Sequence, residues 1–159
     1  MPIQDFKLYT LNGYAGDIVD SGPRVVQTGI LVGADAGFGK ALSRNAGAER
    51  GINLGSAPTV FAISQRELNH EAGSRPSTGN DTVYKATESV SIMRDGYIYI
   101  ELVGGPVVAA GNLLFVNAAT GTFSGDATDV GGVHVESTNV IADEAGIVGE
   151  IIKARIILA

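Results

Sequence analysis

The sequence predicts a mainly β protein, a small β-barrel-like or sandwich domain with an extended N-terminal arm and glycine-rich loops. Glycine contributes 22 of the 159 residues, about twice the usual share. Short apolar runs rich in β-branched residues alternate with turn dipeptides, a pattern typical of strands joined by tight turns. Hydrophobic residues make up 45% of the chain, which is enough to bury a core. The length fits one β-rich domain, residues 21–159, behind an N-terminal segment.

Residues 1–20 are predicted to form either that arm or a first strand, and the residues themselves leave both alternatives open. The segment mixes polar and apolar residues without a sustained period, and it contains Gly13 and Gly16. Twenty extended residues could span roughly 65–70 Å, enough to reach a neighbouring subunit.

The next third of the chain predicts several short strands. Residues 21–23 are Ser-Gly-Pro, a turn signal that precedes a β-branched run over residues 25–32. Residues 33–55 are small and glycine-rich, which favours short strands or irregular loop. Residues 59–64 predict another strand. Residues 69–81 have almost nothing to bury, so we expect an exposed loop there.

The central segment predicts a hairpin. Two β-rich runs flank Asp95-Gly96, a dipeptide suited to the positive φ angles of a type I′ turn. In that register Met93 would lie opposite Ile98, and Ile92 opposite Tyr99. One face of the hairpin resembles a core and carries Met93, Ile98 and Ile100. The other face is half apolar and suggests a second buried surface, including one between subunits; it carries Val90, Ile92, Tyr97 and Tyr99.

The rest of the chain continues the same pattern. After residues 104–106 (Gly-Gly-Pro) come two apolar runs, broken by Gly-Asn at 111–112 and Thr-Gly at 120–121. Residues 146–159 are rich in Ile and Val. Helical spacing fits these residues nearly as well as strand spacing, and their β-branched enrichment favours a strand. An apolar edge would invite aggregation, so we expect this strand to be paired.

Charge and composition exclude several classes of protein. The net charge is −6, and the 11 basic residues are scattered along the chain, which argues against nucleic acid binding and against a local basic groove. The absence of cysteine excludes disulfides and thiolate metal sites, and suits assembly in a reducing cytoplasm. With no apolar run of 18 residues and no signal peptide, we expect no membrane association.

No motif indicates catalysis, a metal or a cofactor. Residues 33–41 (GADAGFGKA) imitate a phosphate-binding loop, but five residues rather than four precede Gly-Lys, and Ala follows the lysine. We expect a turn between strands there. His134 and Glu136 have the His-x-Glu spacing of zinc deaminases without the required cysteines. On a strand they would share a face, as a pair of surface hydrogen-bonding residues. The sequence therefore predicts a protein that is not an enzyme.

Four segments, spread along the chain in order, carry a resemblance to a known family. They are GDIVDSGPRVVQTG at 16–29, FGKALSR at 38–44, SIMRDGYIYI at 91–100 and VVAAGNLLFVNAATG at 107–121. In this series the chain resembles the structural cement, or capsid decoration, proteins of tailed bacteriophages. The resemblance implies a β-barrel-like body, an extended arm, and homotrimers seated on the shell of major capsid protein.

The implied function is to bind the outer surface of the assembled shell and stabilise it, in the virion, after assembly in the host cytoplasm. The expected capsid contacts are Ile3, Phe6, Leu8 and Tyr9 in the arm and Arg44 in a loop. Tyr97 and Tyr99 are candidates for the oligomer interface, and ordinary sheet packing is an equal alternative for them. A carbohydrate- or receptor-binding β module of a virion or tail is the alternative function. It would need exposed aromatic side chains, and only 6% of the residues are aromatic.

Overall fold

The computed structural model of the protein describes residues 13–19, 22–66, 83–129 and 132–159. All regular elements of these residues are strands, which confirms the mainly β prediction. They are β1 (Val25–Leu31), β2 (Ala36–Gly37), β3 (Ala41–Arg44), β4 (Gly51–Leu54), β5 (Ala62–Ser64), β6 (Val83–Tyr84), β7 (Ser89–Glu101), β8 (Leu113–Asn117), β9 (Phe123–Ser124), β10 (Thr128–Asp129), β11 (Gly132–Ala142) and β12 (Ile151–Ile156).

The first half of the sheet closes on itself. β1 pairs in parallel with β4, and β4 then pairs with β3, β3 with β5, and β5 with β7, all antiparallel. The N-terminal half of β7 also pairs with β1 and completes the circuit. We call these five strands ring 1. Closure removes free strand edges, which is how small barrels avoid edge-to-edge aggregation.

The second half closes in the same way and shares β7. The C-terminal half of β7 pairs with β12, followed in order by β11, β8 and β9. A parallel bridge between Leu102 and Phe123 returns from β9 to the end of β7, and Phe123 accepts a 2.9 Å main-chain hydrogen bond from Val103. We call these five strands ring 2. β10 extends β11, and β2 and β6 form a separate two-stranded sheet.

Two hydrophobic cores correspond to the two rings. The ring 1 core consists of Leu31, Ala36, Phe38, Leu42, Ile52, Ala62, Tyr84, Val90 and Ile92. The larger core is built mainly on ring 2 and includes Met93, Ile98, Ile100, Leu114, Val116, Phe123, Val140, Ile152, Ala154 and Ile156. Adjacent β3 and β5 residues point to both cores: Leu42 and Ala62 belong to the first, Ala41 and Ile63 to the second. The two cores are therefore packed on opposite faces of shared strands.

The predicted hairpin at Asp95-Gly96 is wrong, because β7 runs straight through it as one strand of 13 residues. Val25 pairs with Asp95 and Val26 with Met93, so Arg94 is the extra residue of a β-bulge. Gly96 has a φ of 129°. The glycine that suggested a turn instead bends the strand where it leaves ring 1 and enters ring 2. Pairing with strands distant in sequence replaces the local turn.

The bulge explains why the predicted faces are nevertheless right. Met93 and Ile98 are five residues apart and would lie on opposite faces of a regular strand. One extra residue reverses the alternation, so both side chains enter the larger core. On the other face Val90 and Ile92 are buried in the ring 1 core. For those two residues the predicted second buried surface lies within the chain.

Most of the other predicted strands are confirmed. β1 occupies the predicted run at 25–32, and residues 33–55 form three short strands. The strand predicted at 59–64 is limited to Ala62–Ser64. The C-terminal strand is paired on both sides, by β7 and β11, as expected. The loop predicted at 69–81 lies outside the described residues.

Residues 13–19, the described part of the N-terminal segment, pair with the outer edge of β7. Gly16 donates a 2.7 Å hydrogen bond to the main-chain oxygen of Tyr99, and Val19 donates one of 3.1 Å to that of Tyr97. Ile18 forms a bridge with Ile98 and packs against the larger core. The C-terminal half of β7 is therefore paired on both edges.

Candidate contact surfaces

A groove at ring 1 is lined by three arginines and one glutamate. Its cavity volume is about 300 Å³. The floor contains Gly29, Gly51 and the buried side chains of Ile52 and Ile92. The remaining lining residues are Gln27, Thr28, Arg44, Glu49, Arg50, Phe61 and Arg94. We call this feature the arginine groove.

The three arginines come from separate elements. Arg44 is the last residue of β3, Arg50 directly precedes β4, and Arg94 is the bulge residue of β7. Antiparallel pairing of β3 with β4 sets Arg44 opposite Ile52, and β5 joins β3 to β7. Glu49 is the one acidic residue of the lining. The expectation that no local basic groove would form is therefore wrong, because folding gathers arginines that the sequence separates.

Arg94 is the most constrained of the three. Its guanidinium lies 4.2 Å from the centre of the Phe61 ring, a cation–π contact. One terminal nitrogen donates a 3.3 Å hydrogen bond to the main-chain oxygen of Ala159. Its Nε is buried and has no hydrogen-bond partner within the described residues. Buried donors of charged groups normally have partners, so this nitrogen is an exception to the usual pairing.

Arg50 has an unusual backbone conformation. Its φ is 57°, in the left-handed region that costs an ordinary residue about 1–2 kcal/mol relative to glycine. Its amide oxygen accepts a 2.9 Å hydrogen bond from Ile30, which fixes the turn against β1. Within the described parts of the chain, neither Arg50 nor Arg44 has an ion pair or a side-chain hydrogen bond. Both guanidinium groups are therefore available for a ligand.

A second surface surrounds the two candidate interface tyrosines. Tyr97 and Tyr99 are both half-buried on β7. The ammonium of Lys153 lies 4.9 Å from the centre of the Tyr97 ring, and the guanidinium of Arg155 lies 5.7 Å from it. The ion pair with Asp143 raises the pKa of Lys153. Tyr99 packs against the backbone of residues 13–19. Contacts within the chain thus cover part of the aromatic side chains of both Tyr97 and Tyr99.

A third surface is aliphatic. Val108 and Gly146 form an antiparallel bridge, which places Val107 beside Ile147. Val107 is 68% exposed, and Ile147 and Val148 are each 50% exposed. Three neighbouring exposed aliphatic side chains are typical of a protein contact rather than of a ligand site.

The structure locates only part of the predicted contact set. Arg44 lines the arginine groove, whereas Tyr97 and Tyr99 do not. The four arm residues Ile3, Phe6, Leu8 and Tyr9 lie outside the described residues. Arg50 and Arg94 were not among the predicted contact residues, although both line the groove. Their only sequence signal is that Arg44 and Arg50 flank one short turn, and nothing in the sequence connects Arg94 to them.

The motifs that imitate catalytic sites have structural roles. Residues 33–41 connect β1 to β3 through β2, as predicted. Burial lowers the pKa of Lys40, while the charge of Glu101 opposes that shift. The expectation of a surface His134–Glu136 pair is wrong. His134 is buried and its ring contacts Thr122 and Gly132, whereas Glu136 is exposed beside an irregularity in β11.

The described residues also bear on metal binding and on membrane insertion. These residues contain no group of three or more His, Asp or Glu side chains that could hold a metal ion. None of the elements in the same residues is a helix of the length and hydrophobicity needed to span a membrane.

Comparison with known proteins identifies the family. No curated protein matches the sequence. A chain of the solved structure "The capsid of Myoviridae Phage XM1" has a similar fold, with a TM-score of 0.64 over 89% of this chain and 88% of that chain, at 12% sequence identity. Residues 3–157 match the family described as "Structural cement protein (E217 gp24/Pam3 gp6)". The match spans nearly the whole chain, so the protein belongs to the phage structural cement protein family.

Proposed function

We propose that the protein binds the outer surface of the assembled major capsid protein shell and stabilises it, as a homotrimeric decoration protein. The family match over residues 3–157 carries this proposal, since membership implies a capsid-stabilising role in the virion in association with shell proteins. It also argues against enzymatic activity. A protein that binds only the assembled shell stabilises that state by mass action.

The fold supports such a role mechanically. Two closed rings that share β7 offer few free edges, and rigid bodies lose little conformational entropy on binding. The exposed aliphatic cluster of Val107, Ile147 and Val148 supplies apolar contact area. We place shell contacts at this cluster, at Arg44, and at the arm side chains Ile3, Phe6, Leu8 and Tyr9. We place the subunit interface at Tyr97 and Tyr99.

Co-sedimentation with expanded, undecorated capsids of the encoding phage tests the proposal. We expect saturable binding at a fixed ratio to capsid subunits, and none to free subunits. Multi-angle light scattering of the free protein should give three times the chain mass. Binding to intact shells that never saturates, or that is absent, would refute the decoration role.

The alternative, a carbohydrate-binding module, would be favoured by glycan binding without shell affinity. Of the aromatic side chains in the described residues, Tyr14 is the most exposed, at 66%. The Arg66 guanidinium lies 3.8 Å from the centre of its ring and occupies one face. The surface that a sugar would stack on is therefore partly taken.

A further inference from the structure

We propose that the arginine groove binds an acidic segment of a capsid shell protein, with an Asp or Glu carboxylate seated among Arg44, Arg50 and Arg94. The identity of the partner rests on the proposed function. The chemistry of the ligand rests on the groove alone, so the two can fail separately.

The charge of the groove favours an anionic ligand. Three guanidinium groups and one side-chain carboxylate line the groove, on a chain whose net charge is −6, and one of the three, Arg94, also donates a hydrogen bond to an oxygen of Ala159. The positive potential at the groove attracts an anion, whereas the acidic remainder of the protein repels it. Planar guanidinium groups bind carboxylates through paired hydrogen bonds, which adds geometric specificity to the attraction.

The arginines of the groove also have hydrogen-bond donors without acceptors in the described part of the chain. The buried Nε of Arg94 has no partner, although its guanidinium is held in place by Phe61 and by Ala159. Because Phe61 and Ala159 hold this guanidinium in place, a ligand that contacts it does not have to order the Arg94 side chain. Arg44 and Arg50 likewise have no acceptor within the described parts of the chain.

The backbone of Arg50 is strained, because its φ lies in the left-handed region. A left-handed φ is easily adopted by glycine, whereas Arg50 adopts it with a side chain. The arginine at this position carries a conformational cost, and its side chain lines the groove. Strained residues are concentrated at ligand sites, which supports a role of the Arg50 side chain in binding.

Size selects a carboxylate segment over nucleic acid. A cavity of about 300 Å³ lies at the small end of ligand sites and accepts one or two side chains. A nucleic acid backbone presents many phosphates and needs a long basic track, which a chain of net charge −6 repels outside the groove.

The shell experiment uses Arg50→Gly, which removes the charge and relieves the φ strain together. We expect its apparent Kd for undecorated shells to rise at least about tenfold, as for loss of one charged hydrogen bond. Its melting temperature should stay constant or rise. Arg50→Lys should restore part of the affinity, since it keeps the charge without the planar fork. Lys85→Gln removes one exposed charge outside the groove and should leave the affinity unchanged.

A measurement without shells isolates the groove. The probe is the peptide acetyl-Gly-Glu-Asp-Glu-Gly-amide, titrated against the ¹⁵N-labelled protein by NMR. We expect saturable shifts of the Gly29 and Gly51 amides, weakened by salt, and none with the Gln/Asn version of the peptide or with Arg50→Gly. Inorganic phosphate should bind more weakly than the acidic peptide.

The outcomes separate the two proposals. Peptide binding without any shell binding refutes the decoration role and supports the groove's chemistry. Shell binding that is equally tight in wild type and Arg50→Gly overturns the groove as a shell contact, whatever the peptide does. A groove that prefers phosphate to the acidic peptide, or binds neither, overturns the carboxylate assignment. A parallel fall in affinity and melting temperature of Arg50→Gly would assign Arg50 a folding role and overturn its assignment as a ligand contact.

Discussion

Asn139 joins the two rings, and its replacement by alanine should be among the most damaging single substitutions. The side chain lies on β11 and is 6% exposed. Its Oδ1 accepts a 2.9 Å hydrogen bond from the Val60 amide, and its Nδ2 donates 2.8 Å and 2.9 Å bonds to the main-chain oxygens of Val60 and Ile157. Val60 precedes β5 of ring 1, whereas Asn139 lies on β11 of ring 2. The side-chain amide of Asn139 therefore bonds the main chain of Val60 as a neighbouring strand would, and so connects the two rings.

The magnitude follows from the groups that lose a partner. Asn139→Ala leaves the buried amide and carbonyl of Val60 unsatisfied, at about 1–3 kcal/mol each. The Ile157 carbonyl is partly solvated and contributes less. We therefore expect a loss of about 3–5 kcal/mol in the free energy of unfolding, a large share of the roughly 5–15 kcal/mol that folded domains possess. Thr138→Ala, with one exposed hydroxyl contact to Thr59, is the control and should cost under about 1 kcal/mol.

Urea unfolding at pH 7, followed by circular dichroism, measures both variants. A loss below about 1 kcal/mol for Asn139→Ala would refute the reasoning, because it would mean that water satisfies the Val60 groups at no cost. A changed slope against urea would show that the rings unfold separately, which is a different result.

The Asn139→Asp variant adds a pH test with a defined sign. Its carboxylate would face two main-chain oxygens in a buried site, so its folded pKa would be raised above the ordinary value of about 3.9. The destabilisation caused by ionising this buried Asp is absent below the pKa that Asp has in the unfolded state. It grows as the pH rises from the unfolded pKa to the folded pKa, and it is complete above the folded pKa. Relative to wild type, this variant should therefore recover stability on acidification from neutral pH towards pH 4, whereas Asn139→Ala should not.

Two further predictions concern close packing and the arm. Gly55 and Gly33 have nearly equal positive φ angles of 86° and 90°, but a methyl group at Gly55 would overlap the main-chain oxygen of Ala118, while nothing lies near Gly33. Gly55→Ala should cost about 2–5 kcal/mol in thermal or urea unfolding and Gly33→Ala only about 1–2 kcal/mol, and equal losses would contradict the predicted clash. Deleting residues 1–12 should weaken co-sedimentation with shells and leave the melting temperature unchanged, whereas deleting 1–19 removes the hydrogen bonds to β7 and should lower it. Full shell affinity after the shorter deletion would remove the arm from the set of shell contacts.

Sequence reasoning succeeded where a strand is specified by its own residues. The β-branched runs of β1 and β12 were predicted because alternation and β propensity are local properties. It failed at Asp95-Gly96, since a glycine with positive φ suits both a tight turn and a bulge. Which one forms depends on whether distant strands compete successfully for the same backbone groups.

The sequence by itself determined the fold class, the family, and the residues that alternate into the core. Those properties are encoded in composition, in short periodicity and in an ordered series of motifs. The tertiary structure decided that β7 is shared by two closed rings, and that Arg44, Arg50 and Arg94 meet in one groove. Both depend on which strands pair across 40 or more residues of chain, as Arg44 and Arg94 show. Such pairing is chosen by the total free energy of the closed sheet, which no local segment contains.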